Sequence, residues 1–467
     1  MAGALHIAGD APVIVIKFGG TSVGDADRVA NAVAIVAKRQ HLRPIVVVSA
    51  LSGITNQLIA ATEAAKAGDQ ERVDAILNDV LMRHENVATR LVQQKSDLYE
   101  NFLTKLHNEL AAAKTILQGI CLLREITPRA KDKVVAIGEK LSSVLFAHSM
   151  YIRGLSSEAI ADELIETDDR FGEANPDMER TSRNAHAVLL PLVERNVIPV
   201  MGGFIGRTAD GATTTLGRGG SDYSAAIIGA AVGAEEIQIW TDVDGMMTCD
   251  PRLIPGARVI DRIAYDEAAE LAWFGAKVLH PKTIAPAVGL NIPVRVLNTH
   301  NVASSGTVIT RDGDDRGAGP RAVAVKRNIA VVHMTSNKML GAHGFLAHLF
   351  AIFEELEISV DLITTSEVSV SVTIDDKENL PALKQKLAKV ADVAVDDNQS
   401  IIAVVGRNLM EQSMVGPAIF DALQGIPLTM FSLGRSGLNL SIVVDDKDAD
   451  RAIKSVHHAL FEAPVCA

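Results

Sequence analysis

Val13-Ile-Val-Ile-Lys17-Phe-Gly19-Gly20-Thr21-Ser22-Val23-Gly24 decides the architecture of this chain. Four β-prone apolar residues run into a lysine, then into paired glycines and two hydroxyls, and a helical pattern follows through Val29, Val33, Ile35 and Val36. A buried strand built this way delivers a fixed positive charge into a loop whose backbone amides can approach an anion unobstructed. The helix behind the loop points its positive end at the same place. These features describe a phosphate site, though not one of the Walker type, because the lysine precedes the glycines instead of following them. A strand–turn–helix carrying an ordinary surface lysine is the reading this stretch alone leaves open.

Further strands are expected at 45–48, Ile198–Met201, Ile237–Trp240 and Pro293–Leu297, with helical sequence between them and from about 56 to 150. Such alternation implies helices on both faces of a largely parallel sheet, a three-layer α/β/α domain. The polar stretch Thr310–Pro320 reads as a linker or exposed loop.

Beyond it the texture changes and the sequence repeats. One unit runs from Gly344 through an amphipathic helix to Ile358-Ser-Val-Asp-Leu-Ile and then Val368–Ile374; the other runs from Gly416 to Ile426 and on to Ile442. Aligning Ile358 with Ile426 sets a repeat of about 70 residues, the size of a βαββαβ module. Two such modules can lie side by side and cover each other's sheet edges.

With 467 residues, 48% hydrophobic and 22% charged, the chain is globular and long enough for two or three domains. No apolar run reaches the roughly 18 residues of a membrane span, and Met1–Pro12 has no basic segment leading an apolar one, so no signal peptide is expected. Cys121, Cys249 and Cys466 form no CxxC pair, which suits a reducing cytoplasm. A net charge of −12 argues against a nucleic-acid partner.

Three more constellations carry chemistry. In Thr213-Thr-Thr-Leu-Gly217-Arg218-Gly219-Gly220-Ser221-Asp222 either Ser221 or Asp222 could be a plain N-cap, but capping does not explain an arginine set among glycines. A guanidinium there can grip a carboxylate with two hydrogen bonds while glycine amides reach phosphoryl oxygens. Trp240-Thr241-Asp242-Val243-Asp244-Gly245, continuing through Met247 to Asp250-Pro251-Arg252, ends a buried strand on the side where open α/β sheets bind ligands, although Asp-Gly alone is ordinary turn chemistry. Glu139, in Ile137-Gly-Glu-Lys-Leu-Ser142, sits in an apolar helical neighbourhood where an unpaired charge is costly, so it calls for a cation such as a substrate ammonium.

With these residues in hand, the chain resembles the monofunctional aspartokinases of the amino acid kinase superfamily. The resemblance is carried by KFGGTSV (17–23), SALSGITN (49–56), GEKLS (138–142), TTTLGRGGSD (213–222), WTDVDG (240–245), DPR (250–252) and FGAKVLHP (274–281). SVDLITTSEVSVSV (359–372) is similar to the regulatory ACT modules of the lysine-sensitive group. The resemblance implies an N-terminal extension (1–12), a kinase domain (13–298), a linker able to supply a shared strand (299–328) and ACT modules at 329–398 and 399–467. It implies transfer of the γ-phosphoryl of ATP, with Mg2+, to the side-chain carboxylate of aspartate, the opening step toward lysine, threonine, methionine and diaminopimelate. Lys17 would face the transferring group, and Gly19, Gly20, Thr21 and Ser22 the phosphates. Ser49, Thr55, Glu139, Phe204, Arg218 and Ser221 would surround aspartate, with Glu139 at its amine and Arg218 at its α-carboxylate. Thr241, Asp242, Met247, Arg252 and Lys277 would hold ATP, with Asp222 near the magnesium. Met247 stands where relatives often carry tyrosine; a thioether can cover an adenine face but donates no hydrogen bond.

The same resemblance implies lysine as an allosteric effector. Its site would be built from Met339, Ala342, Gly344, Phe345, Leu346, Ser359, Val360, Asp361, Thr365, Ser366 and Glu367, in a cytoplasmic homodimer formed through the ACT modules, with a tetramer left open. Ala342 stands where relatives often have serine. Another amino acid kinase, such as a glutamate 5-kinase or a uridylate kinase, and a catalytically inactive ACT sensor are the competing readings.

Overall fold

The computed structural model describes residues 13–93, 95–275, 281–313, 317–409, 411–434 and 436–462. It divides into two compact units, Met1–Gly245 with Val278–Arg311, and Met246–Lys277 with Asp312–Ala467. Among the described residues no helix is long and apolar enough to cross a membrane.

The first unit is built on β1 (Ile14–Phe18), β2 (Pro44–Val48), β3 (Ser157–Ala159), β4 (Ile198–Gly202), β5 (Ile205–Arg207), β6 (Thr213–Thr215), β7 (Glu236–Thr241), β8 (Val294–Asn298) and β9 (Thr307–Thr310). Its sheet runs β3-β4-β2-β1-β7-β8-β9, parallel up to β8 and antiparallel at β9, while β5 and β6 form a separate hairpin. β1 is central, paired in parallel with β2 and β7, and every one of its residues is buried. Burial on both faces is why these strands read as continuous apolar runs.

Helices cover both faces. Ile14, Ile16 and Phe18, alternating along β1, share a core with α1 (Ala26–Ala37), α2 (Ile54–Ala67), α3 (Gln70–Val92), α4 (Ser96–Leu123), α5 (Pro128–Val135) and α6 (Ile137–Ile152). α7 (Met178–Glu194) and α8 (Gly220–Val232) pack against each other; both contact the sheet. The result is the three-layer α/β/α arrangement. Asp25, Asp69, Thr127 and Asp177 each accept an amide hydrogen bond as N-caps, worth about 1 kcal/mol apiece.

In the second unit a six-stranded sheet runs in the order 363–365, 369–374, 319–335, 392–407, 439–445, 430–433, with the helices Phe345–Glu355, Leu380–Leu387, Val415–Ala422 and Asp446–His457. The two repeats correspond in element order: helix Phe345–Glu355 answers Val415–Ala422, and strand Ser369–Ile374 answers Asn439–Asp445. The modules do not sit merely edge to edge. Gly319–Thr335 and Asp392–Arg407 each run through both, pairing Val323 with Val404 in one half and Val332 with Val395 in the other. The chain therefore gives one strand to the second module, builds the whole first module, and then returns. Positions 328/329 and 398/399 fall inside these continuous strands, at bulges where Asn328 (φ 58°) and Asn398 (φ 54°) are left-handed. Of the apolar segment that begins at Ile358, only Ile363–Thr365 is regular strand. Ile358 first closes the preceding helix through its amide to Phe353 O (2.9 Å), and Asp361 turns inward.

Candidate active site

A cavity of about 870 Å3 opens at the carboxyl ends of β1 and β2 in the first unit. Lys17 reaches it from β1, 7% exposed, with Nζ 2.5 Å from Asp222 Oδ1 in the first turn of α8. The central strand thus meets a helix N-terminus, and Lys17, Gly219, Gly220 and the start of α8 line one cavity. Gly20 and Thr21 line it as well. Gly19 stands behind the lysine, its amide donating to Trp240 O at 3.2 Å, and a Cβ there would come 3.3 Å from Lys17 Nζ. The Ser22 hydroxyl points inward, donating to Trp240 O at 3.2 Å and lying 3.3 Å from Thr299 Oγ1, where it braces the glycine loop.

Glu139 lines the same cavity from the first turn of α6. It is 3% exposed, and burial pushes its carboxyl up to about 8, although the Ala50 amide, its own amide and the Thr55 hydroxyl pull the other way. Its Oε2 has no hydrogen-bond partner among the described residues. Glycines allow this close approach. A Cβ at Gly138 would stand 2.7 Å from Ala50 Cβ, and one at Gly202 would stand 3.0 Å from Glu139 O.

Arg218 is exposed on the glycine loop, and among the described residues its guanidinium makes no ion pair or hydrogen bond. Ser49, Thr55, Phe204 and Ser221 complete the wall, so all six residues attributed to aspartate line one cavity with Lys17 and Asp222. Phe204 has φ +66°, a strained setting for a bulky side chain. It is held there by its amide to Ser224 Oγ (2.8 Å) and by Gly220, where a Cβ would fall 2.5 Å from Phe204 Cδ2. Gly220→Ala is therefore expected to cost about 1–3 kcal/mol by overpacking and to raise KM for the amino-acid substrate. Thermal unfolding and steady-state kinetics check this, and a variant unchanged in both would mean that the contact is not a constraint.

Of the residues attributed to the nucleotide, Thr241 and Asp242 do not line this cavity. Thr241 and Asp242 close β7, the Thr241 hydroxyl donating to Asp242 Oδ1 at 3.2 Å. Met247 and Arg252 belong to the second unit. Met247 is half-buried and bridges to Val259, whereas the exposed Arg252 forms a two-pronged pair with Asp250 at 3.0 and 2.6 Å. Lys277 lies outside the described residues.

Sequence reading missed Asp132, which lines the cavity from α5 and accepts hydrogen bonds from Gly172 and Thr215. Placed between Lys131 and Lys133 it looks like part of a solvated helix face, and its partner Thr215 lies 83 positions away.

Of the residues attributed to the effector, Met339 ends a 3-10 turn, Ala342 donates its amide to Met339 O (3.1 Å), and Gly344 (φ +80°) caps the helix opening Phe345-Leu346. Ser359, Thr365, Ser366 and Glu367 are exposed and Val360 is half-buried; Ser366 closes a tight turn to Ser369 at 2.7 Å. Asp361 is already paired. Its side chain is buried, and its two oxygens accept from Lys326 Nζ at 2.8 and 2.7 Å. Lys326 also reaches Asp375 at 2.9 Å and lies over the Trp273 ring, 5.2 Å from its centroid.

A largely parallel α/β sheet whose strand ends open on a cavity lined by Lys17, Asp222, Glu139 and Arg218 is the arrangement expected of a small-molecule phosphotransferase. The model of the amino acid kinase family matches residues 12–298, and that of the ACT domain matches 332–385 and 402–460. Aspartokinase 3, chloroplastic, of Arabidopsis thaliana is 38% identical over 97% of this chain and 82% of its own. Crystal structures of E. coli aspartokinase III cover 96% of this chain and 100% of theirs, each with a TM-score of 0.81. One is a complex with lysine and aspartate in the T-state (37% identity), the other a complex with aspartate and ADP in the R-state (36%). The chain belongs to the amino acid kinase family and, within it, to the aspartokinases, enzymes that use ATP.

Proposed function

We propose that the chain transfers the γ-phosphoryl of ATP to the side-chain carboxylate of L-aspartate, giving 4-phospho-L-aspartate, and that it opens the aspartate-family amino acid pathway under feedback by lysine. One observation carries the substrate reading: a buried carboxylate, Glu139, and a guanidinium, Arg218, which among the described residues leave an oxygen and the whole cation without a partner, line the same cavity as the Lys17–Asp222 pair. Glu139 suits an α-ammonium and Arg218 an α-carboxylate, which leaves the substrate's side chain to face Lys17. A carboxylate is already nucleophilic at neutral pH, so no general base is required. The task is to bring two anions together and to stabilise charge spreading over phosphoryl oxygens. Gly19, Gly20, Thr21 and Ser22 shape the phosphate loop. Thr241, Asp242, Met247, Arg252 and Lys277 are assigned to the nucleotide by resemblance.

Asp222 is the residue that would hold Mg2+. Its carboxylate lines the cavity beside Lys17 in the first turn of α8, and an ion carried chiefly by phosphates asks for only one or two carboxylates. When bound, the ion neutralises phosphate charge.

ADP release measured with aspartate, with glutamate and with neither tests the reaction. Equal rates in all three would sink it.

For regulation, the lysine complex of E. coli aspartokinase III and the acidic, hydroxyl-rich turn of the first module support lysine as effector. The effector reaches the kinase by population shift, in a cytoplasmic homodimer joined through the ACT modules. An effector ammonium must share Asp361 with Lys326 or displace it. Glu367→Ala and Asp361→Ala are expected to relieve lysine inhibition and leave the uninhibited rate nearly intact. Initial rates titrated with lysine decide the matter: full inhibition of both variants, or none of the parent, overturns the site or the effector.

A further inference from the structure

Asp132 touches neither end of the clamp, yet it holds the part of the fold that presents one of them. The residue is 3% exposed. Its Oδ2 accepts from the amides of Gly172 and Thr215, each at 2.8 Å, and its Oδ1 accepts from the Thr215 hydroxyl at 2.9 Å. Burial raises its carboxyl above the usual range against the pull of these donors. Thr215 ends β6, and Gly217, at φ +76°, and Arg218 follow at once. Gly172 flanks the same loop: a Cβ on Gly217 would come 3.3 Å from Gly172 O. One carboxylate therefore fixes both the strand that leads into the arginine loop and the turn packed against it.

The other end of β6 is pinned toward Glu139. Thr213 Oγ1 donates to Glu163 Oε1 at 3.0 Å, and Lys140, the neighbour of Glu139, reaches the same oxygen at 2.7 Å. Arg218 itself has no side-chain partner among the described residues, so its location rests on how well the backbone beneath it is held.

We propose that Asp132 is a positioning residue of the amino-acid clamp, setting where Arg218 stands relative to Glu139 without touching the reacting atoms. A clamp whose two charges are spaced in advance gives up less ordering entropy when the substrate binds. The inference rests on reading this cavity as the aspartate site.

Asp132→Asn keeps the shape but turns an amide NH2 toward N–H or O–H donors. The expected result is a rise of about tenfold or more in KM for aspartate, the scale of a lost hydrogen bond to a charged group, with kcat at saturating aspartate and KM for ATP nearly unchanged. Thr215→Val, which removes only the hydroxyl, should raise KM for aspartate less, and Thr215→Ser should restore it; this pair carries the test if Asp132→Asn does not fold. In an Arg218→Ala background Asp132→Asn should add little, because the residue it positions is gone. Additive effects in that cycle, or equal losses toward ATP and aspartate, would make Asp132 merely structural and overturn the proposal. If Arg218→Ala leaves KM for aspartate unchanged, the reading of the cavity itself fails. If Arg218→Ala raises it while Asp132→Asn and Thr215→Val do not, only the positioning role fails.

Discussion

Lys17→Ala is expected to lower kcat by about two to three orders of magnitude while moving KM for ATP far less. The ammonium is 7% exposed, aimed into the cavity from the central strand, and fixed by Asp222 at 2.5 Å. A preorganised, nearly buried charge counts most when the phosphoryl group is in flight, and donors of this kind are worth about 3–4 kcal/mol in the transition state. Steady-state kinetics with both substrates saturating provide the check. A variant with near-normal kcat removes Lys17 from the chemistry, and one altered only in KM for ATP makes it a ground-state anchor.

Glu139→Gln is expected to raise KM for aspartate by about a hundredfold, the scale of removing one member of a buried charge pair, with nucleotide binding to the free enzyme little changed. The pH behaviour is more diagnostic. Burial holds this carboxyl at about 8, so near neutrality the empty enzyme keeps the proton and aspartate binding must expel it. Aspartate affinity should rise with pH up to about 8 and then level off. Calorimetry in buffers of different ionisation enthalpy should show proton release at pH 7 that the glutamine variant lacks. The linkage for folding runs the opposite way. A folded-state value raised above the ordinary 4.5 means stability is fully present below that pH and lost as pH climbs toward 8. The loss is on the order of 1.4 kcal/mol per pH unit at most. Glu139→Gln, which cannot ionise, should therefore melt higher than the parent at pH 9 without substrate and near it at pH 4. Proton release that persists in the variant would assign it to another group.

The central strands were legible because burial on both faces writes itself as unbroken apolar sequence: β1, β2, β4, β7 and β8 lie within two residues of the positions expected. Glu139 was legible for a related reason, since a carboxylate in an apolar helix must find a cation and its Oε2 waits for one. Asp132 was not, because its hydrogen-bonding partners lie far along the chain. Nor was the pairing of Asp361 with Lys326, 35 positions away, where nothing local distinguishes that lysine from a solvated one. The repeat showed two modules, but a strand shared between them leaves no period in the sequence, only a longer β-rich run before the first copy.

That shared strand has a consequence for how the molecule comes into being. On the ribosome, Ala322–Lys326 emerges before any of the first regulatory module, yet its partner Ile401–Val405 is made only after that module is complete. Until then a β-prone apolar segment stands with an open edge, exposed to mispairing with another nascent chain. A chain cut between the two copies would keep that edge permanently and strand an element that belongs to the missing half. The second module cannot be removed as a unit, and expression of the first alone calls for a start beyond the bulge at Asn328, not at the linker.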